Sequence, residues 1–186
     1  GSTTTKKRSS TNAERLNKIE TTNSQRVKTS INEFDRVMGG GIIKDSITIL
    51  TAKPGAGKST LLLQVANDLA RQGIKSLYAS GEESTSQIKS RADRILKEIH
   101  DDLHVVSDNN LNSVLEIIEK TDARFIIVDS IQTFTLDEFP TSRAGSPTQT
   151  MECAYELVKI AKRPDKPRIV FIVGQMTKDD ELAGVR

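Results

Sequence analysis

Thiol chemistry is almost missing from this sequence: 186 residues hold one cysteine, Cys153. That excludes an internal disulfide and any zinc site built from several cysteines, and it suits a reducing compartment. No apolar run approaches the ~20 residues of a membrane-spanning helix, and no secretory leader is visible. The expectation is therefore a cytoplasmic protein with no membrane partner. A large excess of one charge is also missing. The formal net charge is +2, which permits nucleic-acid binding without arguing for it. Histidine is scarce. His100 and His104 stand four apart, but an Asp-Asp-Leu break separates them and no third ligand is near, so they read as ordinary histidines. No internal repeat or low-complexity tract interrupts the chain beyond residue 25.

What the sequence does have is one dense chemical stretch, Ala52-Lys53-Pro54-Gly55-Ala56-Gly57-Lys58-Ser59-Thr60. It reads A-x-x-x-x-G-K-S, a phosphate loop with alanine in place of the usual first glycine. The β-branched run Ser46–Thr51 leads in as a strand, and Ser59–Ala66 leads out as a helix, the setting the motif requires. Glycines at 55 and 57 let successive N–H groups turn inward as an anion-binding nest before the helix N-terminus. Pro54 to Thr60 are thus the expected nucleotide-binding residues. Lys58 would reach the β- and γ-phosphates, and the Ser59 hydroxyl would ligate Mg²⁺.

At this length one domain is expected, burying about 70% of its unfolded surface. Residues 1–25 are polar and read as a tag and linker, with a short helix over Ala13–Ile19. Order should begin near Arg26. Ser30 and Glu33 have capping-box spacing and predict a helix through Met38, stopped by Gly39-Gly40-Gly41. Strands follow at Ile47–Leu50, Ser76–Ser80, Leu103–Val106, Phe125–Asp129 and Arg168–Val173. Helices between them run to Arg71, from Ser84 with Ile88, Ala92, Ile95 and Leu96 on its apolar face, from Asn110 to Lys120, and from about Gln149 to Ala161. Strands alternating with helices predict an α/β fold with a mostly parallel sheet flanked by helices.

In such a sheet ligands lie at the carboxyl ends of the strands. Asp129 ends one strand and would hold Mg²⁺ opposite Ser59. Glu82 and Glu83 end another. Glu82 is the favoured base for an attacking water, with Glu83 in support; the competing reading makes them acids at a helix N-terminus. Gln175 ends the last strand, where an amide can meet a γ-phosphate or serve only as a turn residue. Cys153 reads as a buried structural cysteine.

The ordered set of motifs resembles the ATPase core of the RadA (Sms) family of bacterial DNA-repair proteins, within the RecA superfamily. The segments that carry it are Glu33–Gly41, Pro54–Gln64, Ser80–Ser84, Val128–Thr133, Glu152–Ala154 and Gly174–Lys178, spanning about Arg26 to the last residue. The resemblance implies a RecA-like P-loop NTPase core over residues 26–186, ATP and Mg²⁺ as ligands, hexameric rings, and branch migration on single-stranded DNA. It implies that Lys58, Ser59 and Asp129 bind Mg-ATP, that Glu82 is the catalytic base, and that loops 133–148 and 177 onward face DNA. KaiC-like and replicative-helicase-like relatives fit Gly174–Lys178 and Ile131–Thr133 less well, and a small-molecule kinase would want a lid that is not apparent.

There are departures. Gln175 stands where the family usually has histidine, and Lys53 where it has an acid. The family's four-cysteine zinc module, its Lys-Asn-Arg-Phe-Gly motif and its Lon-protease-like domain are missing. On this reading the chain is a C-terminally truncated core, expected to bind nucleotide, hydrolyse it poorly and associate weakly. A nucleotide-gated binding module without efficient turnover is the alternative.

Overall fold

A computed structural model describes residues 11–20, 26–53 and 57–175. Its centre is a five-stranded parallel sheet. The strands are β3 (Ile47–Ala52), β4 (Ser76–Ser80), β5 (Leu103–Ser107), β6 (Phe125–Asp129) and β7 (Ile169–Gln175). They lie in the order β3-β7-β6-β4-β5. A small antiparallel pair, β1 (Arg26–Val27) and β2 (Ile42–Ile43), sits beside it. The helices are α1 (Asn32–Val37), α2 (Lys58–Arg71), α3 (Thr85–Ile95), α4 (Leu111–Thr121) and α5 (Pro147–Ala161). The α/β class and the parallel sheet match the expectation from sequence.

The two-faced apolar strands explain the three-layer build. Side chains alternate across a strand, so a strand covered on both sides must be apolar throughout. Leu77, Ile126, Val128, Val170 and Ile172 face α4 and α5, where Val114, Ile118, Cys153 and Leu157 complete one core. Tyr78, Phe125, Ile127, Phe171 and Val173 face the other way, against Leu62, Val65 and Leu69 of α2, Ile88 of α3 and Phe34 of α1. Phe171 anchors this second core. Its ring centroid lies 5.4 Å from that of Phe125 and 6.1 Å from that of Phe34, within the range of favourable tilted ring pairs.

Several expectations about helix ends need correction. The capping box at Ser30 does not form: Ile31 is the N-cap of α1 and no side chain caps it. The buried carboxylate of Asp35 instead accepts from the Thr29 N–H at 2.9 Å and the Thr29 hydroxyl at 2.9 Å. The Ser30 N–H is taken by Asp68 of α2 at 2.9 Å. Asp68 thus occupies the N–H that the Glu33 side chain would have bonded, and Glu33 pairs with Arg36 instead at 2.6 Å. The capping box at Ser84 and Gln87 does form, and Asn110 caps α4 as expected. The helix expected from about Gln149 begins two residues earlier, because Ser146 accepts from the Gln149 N–H at 3.2 Å and Pro147 takes the first turn. In place of a helix over Ala13–Ile19 there is one 3-10 turn, Leu16–Lys18, fully exposed.

Candidate functional site

The parallel register brings the chemistry to one edge. Ser80 pairs with Asp129, Asp129 with Val173, and Ala52 with Gln175. The strands that carry the phosphate loop, the glutamate pair, the aspartate and the glutamine therefore end side by side. Pro54, Gly55 and Ala56 lie outside the described residues, as does the segment from Met176 onward. Gly57 is described. It precedes α2 with φ of +78°, a left-handed conformation that a glycine adopts without strain. Lys58, Ser59 and Thr60 then form the first turn of α2.

The first turn is already wired to the sheet. Lys58 Nζ donates to the Thr51 carbonyl near the end of β3, so the ammonium is held against that strand. Ser59 Oγ donates to Asp129 Oδ2 at 2.6 Å. The Tyr78 hydroxyl donates to the same oxygen. Burial, and then the Asp129 charge, push the Tyr78 phenol far above its ordinary value. It stays protonated and remains a donor.

This oxygen pair suits a hard cation. Mg²⁺ prefers oxygen, keeps several waters, and commonly takes only one or two protein groups beside substrate phosphates. Ser59 and the half-buried Asp129 carboxylate are that kind of set. Among the described residues, no cluster of three or more His, Cys, Asp or Glu could hold a metal by itself.

The two glutamates have different environments. Glu82 is exposed, and its carboxylate meets no partner among the described residues. Glu83 is bound twice over by Arg91 of α3, whose Nη1 lies 2.8 Å from each carboxylate oxygen. Arg91 Nη2 also donates to the Tyr78 hydroxyl at 3.2 Å, and the guanidinium lies 5.9 Å from the centre of the Tyr78 ring. Backbone bonds fix the turn: the Glu83 N–H donates to Ser80 Oγ at 3.0 Å and its carbonyl accepts from Ser107 Oγ at 2.6 Å. Gly81 allows this close folding. A Cβ there would stand 2.1 Å from Thr133 Oγ1.

Gln175 is exposed at the end of β7. Its N–H donates to Gln132 Oε1 at 3.2 Å, and its carbonyl accepts from Gln132 Nε2 at 3.3 Å. Gln132 lies in the 3-10 turn Ile131–Thr133 that follows β6. The loop expected over 133–148 leaves from there and ends at the Ser146 cap.

Tyr78 and Arg91 are absent from the residues expected by sequence. A buried tyrosine on a strand next to the Asp129 strand carries a hydroxyl that needs a partner, and that was the available signal. Arg91 gave none beyond its position three after Ile88. The two histidines stay apart from the site: His100 Nδ1 accepts from the Asp102 N–H at 3.1 Å, and His104 sits on the edge strand β5.

Comparison with known proteins places the chain in a family. A family described as AAA domain matches residues 12–180. The DNA repair protein RadA of Bacillus subtilis (strain 168) is 45% identical over 171 residues, covering 92% of this chain and 36% of that protein. RadA of Campylobacter jejuni is 44% identical over 168 residues, covering 90% of this chain and 37% of that protein. RadA of Streptococcus pneumoniae is 41% identical over 172 residues, covering 92% and 40%. The chain spans between 36% and 40% of the length of these relatives. It belongs to the AAA-domain family.

Proposed function

From that membership we propose that the chain is the ATP-binding core of a DNA-repair ATPase, with residues 26–186 as the core and residues 1–25 as a linker. The observation that carries the proposal is the contact between Ser59 at the start of α2 and Asp129 at the end of β6, 2.6 Å apart. That contact joins a phosphate-loop helix to the acid a Mg-nucleotide needs. Pro54 to Thr60 cradle the phosphates through backbone N–H groups and the N-terminus of α2. Lys58 leaves the Thr51 carbonyl to meet the β- and γ-phosphates. Ser59 and Asp129 hold Mg²⁺, which neutralises charge on the phosphates when bound. Glu82 takes a proton from the attacking water, and Gln175 meets the γ-phosphate.

The finer reading follows the relatives' printed role in DNA repair. Turnover is DNA-dependent, single-stranded DNA lies against loops 133–148 and 177 onward, the work is branch migration, and the whole protein acts in the cytoplasm as a homo-hexamer. Among the described residues no helix is long and apolar enough to cross a membrane. The test is the ATP hydrolysis rate at low salt with Mg²⁺, with and without single-stranded DNA. Stimulation by DNA supports the motor reading. A rate that DNA leaves unchanged removes it.

A second reading, a nucleotide-gated binding module, draws on Glu82. A general base is normally oriented by its neighbours, whereas no described residue holds this carboxylate. On that reading Glu82→Gln leaves the slow rate unchanged; on the first it abolishes turnover.

A further inference from the structure

The Asp129 carboxylate is held from two sides, and only one of them belongs to the phosphate loop. Oδ2 accepts from Ser59 and from Tyr78, so both of its lone pairs are engaged. No hydrogen bond from the described residues reaches Oδ1. The carboxylate is thereby turned with one oxygen committed to protein and the other left for the water shell of a cation.

Behind Tyr78 stands a chain of contacts that ends next to Glu82. The Tyr78 hydroxyl accepts from Arg91 at 3.2 Å. A hydroxyl that accepts a hydrogen bond from a cation becomes a stronger donor, so Arg91 strengthens the grip of Tyr78 on Asp129. Arg91 is oriented in turn by its two 2.8 Å bonds to Glu83. Its planar guanidinium serves two partners at once, Nη1 holding both Glu83 oxygens and Nη2 the Tyr78 hydroxyl, a fixed spread that a single lysine ammonium lacks. The chain then reaches the backbone, because the Glu83 carbonyl and N–H are pinned by Ser107 and Ser80. Glu82 is the next residue.

We infer that Tyr78, Arg91 and Glu83 form a positioning relay, which fixes the Asp129 carboxylate for the cation and ties its orientation to the segment that carries Glu82. The inference rests on the nucleotide-site reading above. It assigns Glu83 a role different from that of its neighbour: Glu83 acts through Arg91 and does not touch the attacking water. Residues behind a metal ligand commonly change metal affinity by about 10- to 100-fold when altered.

The experiment is a Mg²⁺ titration of fluorescent-ATP binding to the intact chain, with a parallel measurement in EDTA and a thermal melt. Tyr78→Phe keeps the ring and removes the hydroxyl. It is expected to raise the half-saturating Mg²⁺ concentration by about 10-fold, with EDTA-state binding unchanged. Arg91→Lys, which keeps the charge and loses the fork, should fall between wild type and Arg91→Ala. A wild-type Mg²⁺ half-saturation in folded Tyr78→Phe overturns the relay. So does an equal loss of affinity with and without Mg²⁺, which marks a purely structural role. Should Tyr78→Phe melt early, Arg91→Ala carries the same test from a side chain that is 25% exposed. Wild type that binds no nucleotide, or a Lys58→Ala variant that binds as wild type does, removes the nucleotide-site reading instead.

Discussion

Ser59 and Asp129 are 70 positions apart in the chain and 2.6 Å apart in space. One begins a helix and the other ends a strand two places across the sheet. Their meeting depends on the register of β3, β7 and β6 and on the start of α2 directly after Gly57. Several consequences of this arrangement can be measured.

Lys58→Ala and Asp129→Asn should weaken Mg-ATP in different ways. A hydrogen bond to a charged group contributes about 1.5–3 kcal/mol, so Lys58→Ala should lose roughly 10- to 100-fold in nucleotide affinity with or without metal. Asp129→Asn should lose affinity only where Mg²⁺ is present. Titration of a fluorescent nucleotide in Mg²⁺ and in EDTA separates the two.

Glu82→Gln and Glu83→Gln should part company in turnover. General-base removal costs about 10²–10⁴ in rate, and Glu82→Gln should pay that in kcat while binding ATP normally. Glu83→Gln should show its effect first in the Mg²⁺ dependence. Steady-state rates across a Mg²⁺ series decide between them.

Gly81→Ala should destabilise the fold by packing rather than by backbone strain. The added methyl would lie 2.1 Å from Thr133 Oγ1 and 2.8 Å from Thr133 Cβ, and overpacking of this kind costs about 1–3 kcal/mol. The double variant Gly81→Ala with Thr133→Ala should recover part of that loss in urea unfolding. Equal stability of the single variant and wild type would contradict the close approach.

Phe171→Ala should be the more damaging core change. Removing a ring that meets Phe34 and Phe125 leaves a cavity on the α2 face, at about 3–5 kcal/mol. Chemical denaturation reads this directly.

Cys153 makes the pH prediction. It is fully buried, and burial, followed by Glu138, Glu152 and Glu156, pushes its thiol from 9.0 up to about 11. The unfolded thiol ionises first, so the native state holds the extra proton between those values. Stability from this group is complete below pH 9 and is lost as pH rises toward 11. The slope should vanish in Cys153→Ala, and Ellman's reagent should meet no reactive thiol until the chain unfolds.

The sheet was legible because its signals are long and repeated. Phe125–Val128 and Ile169–Val173 are apolar at every position, which leaves a buried parallel strand as the economical reading. Ser84 and Asn110 were legible as caps because the N–H groups their side chains accept from lie three residues on, at Gln87 and Ser113, within local reach. Ser30 was not, because the decision lay with Asp35 and with Asp68 on a distant helix. The same limit applies at the site. Lys58, Ser59 and Asp129 stand out by motif and strand end, while the Tyr78–Arg91–Glu83 contacts join β4 to α3 through side-chain reach that no local spacing records. Glu82 and Glu83 are adjacent in sequence, and it is tertiary partners, Arg91 on the side chain and Ser107 on the backbone of Glu83, that distinguish them.

The paired bonds between Gln132 and Gln175 act as a mechanical clasp. Each hydrogen bond is modest, about 0.5–1.5 kcal/mol, but they join one side chain to both backbone groups of a single residue. The turn after β6 and the tip of β7 are therefore tied to each other, and moving one away from the other breaks both bonds. The end of one strand and the start of the loop after its neighbour thus share a single fastening, made by one side chain.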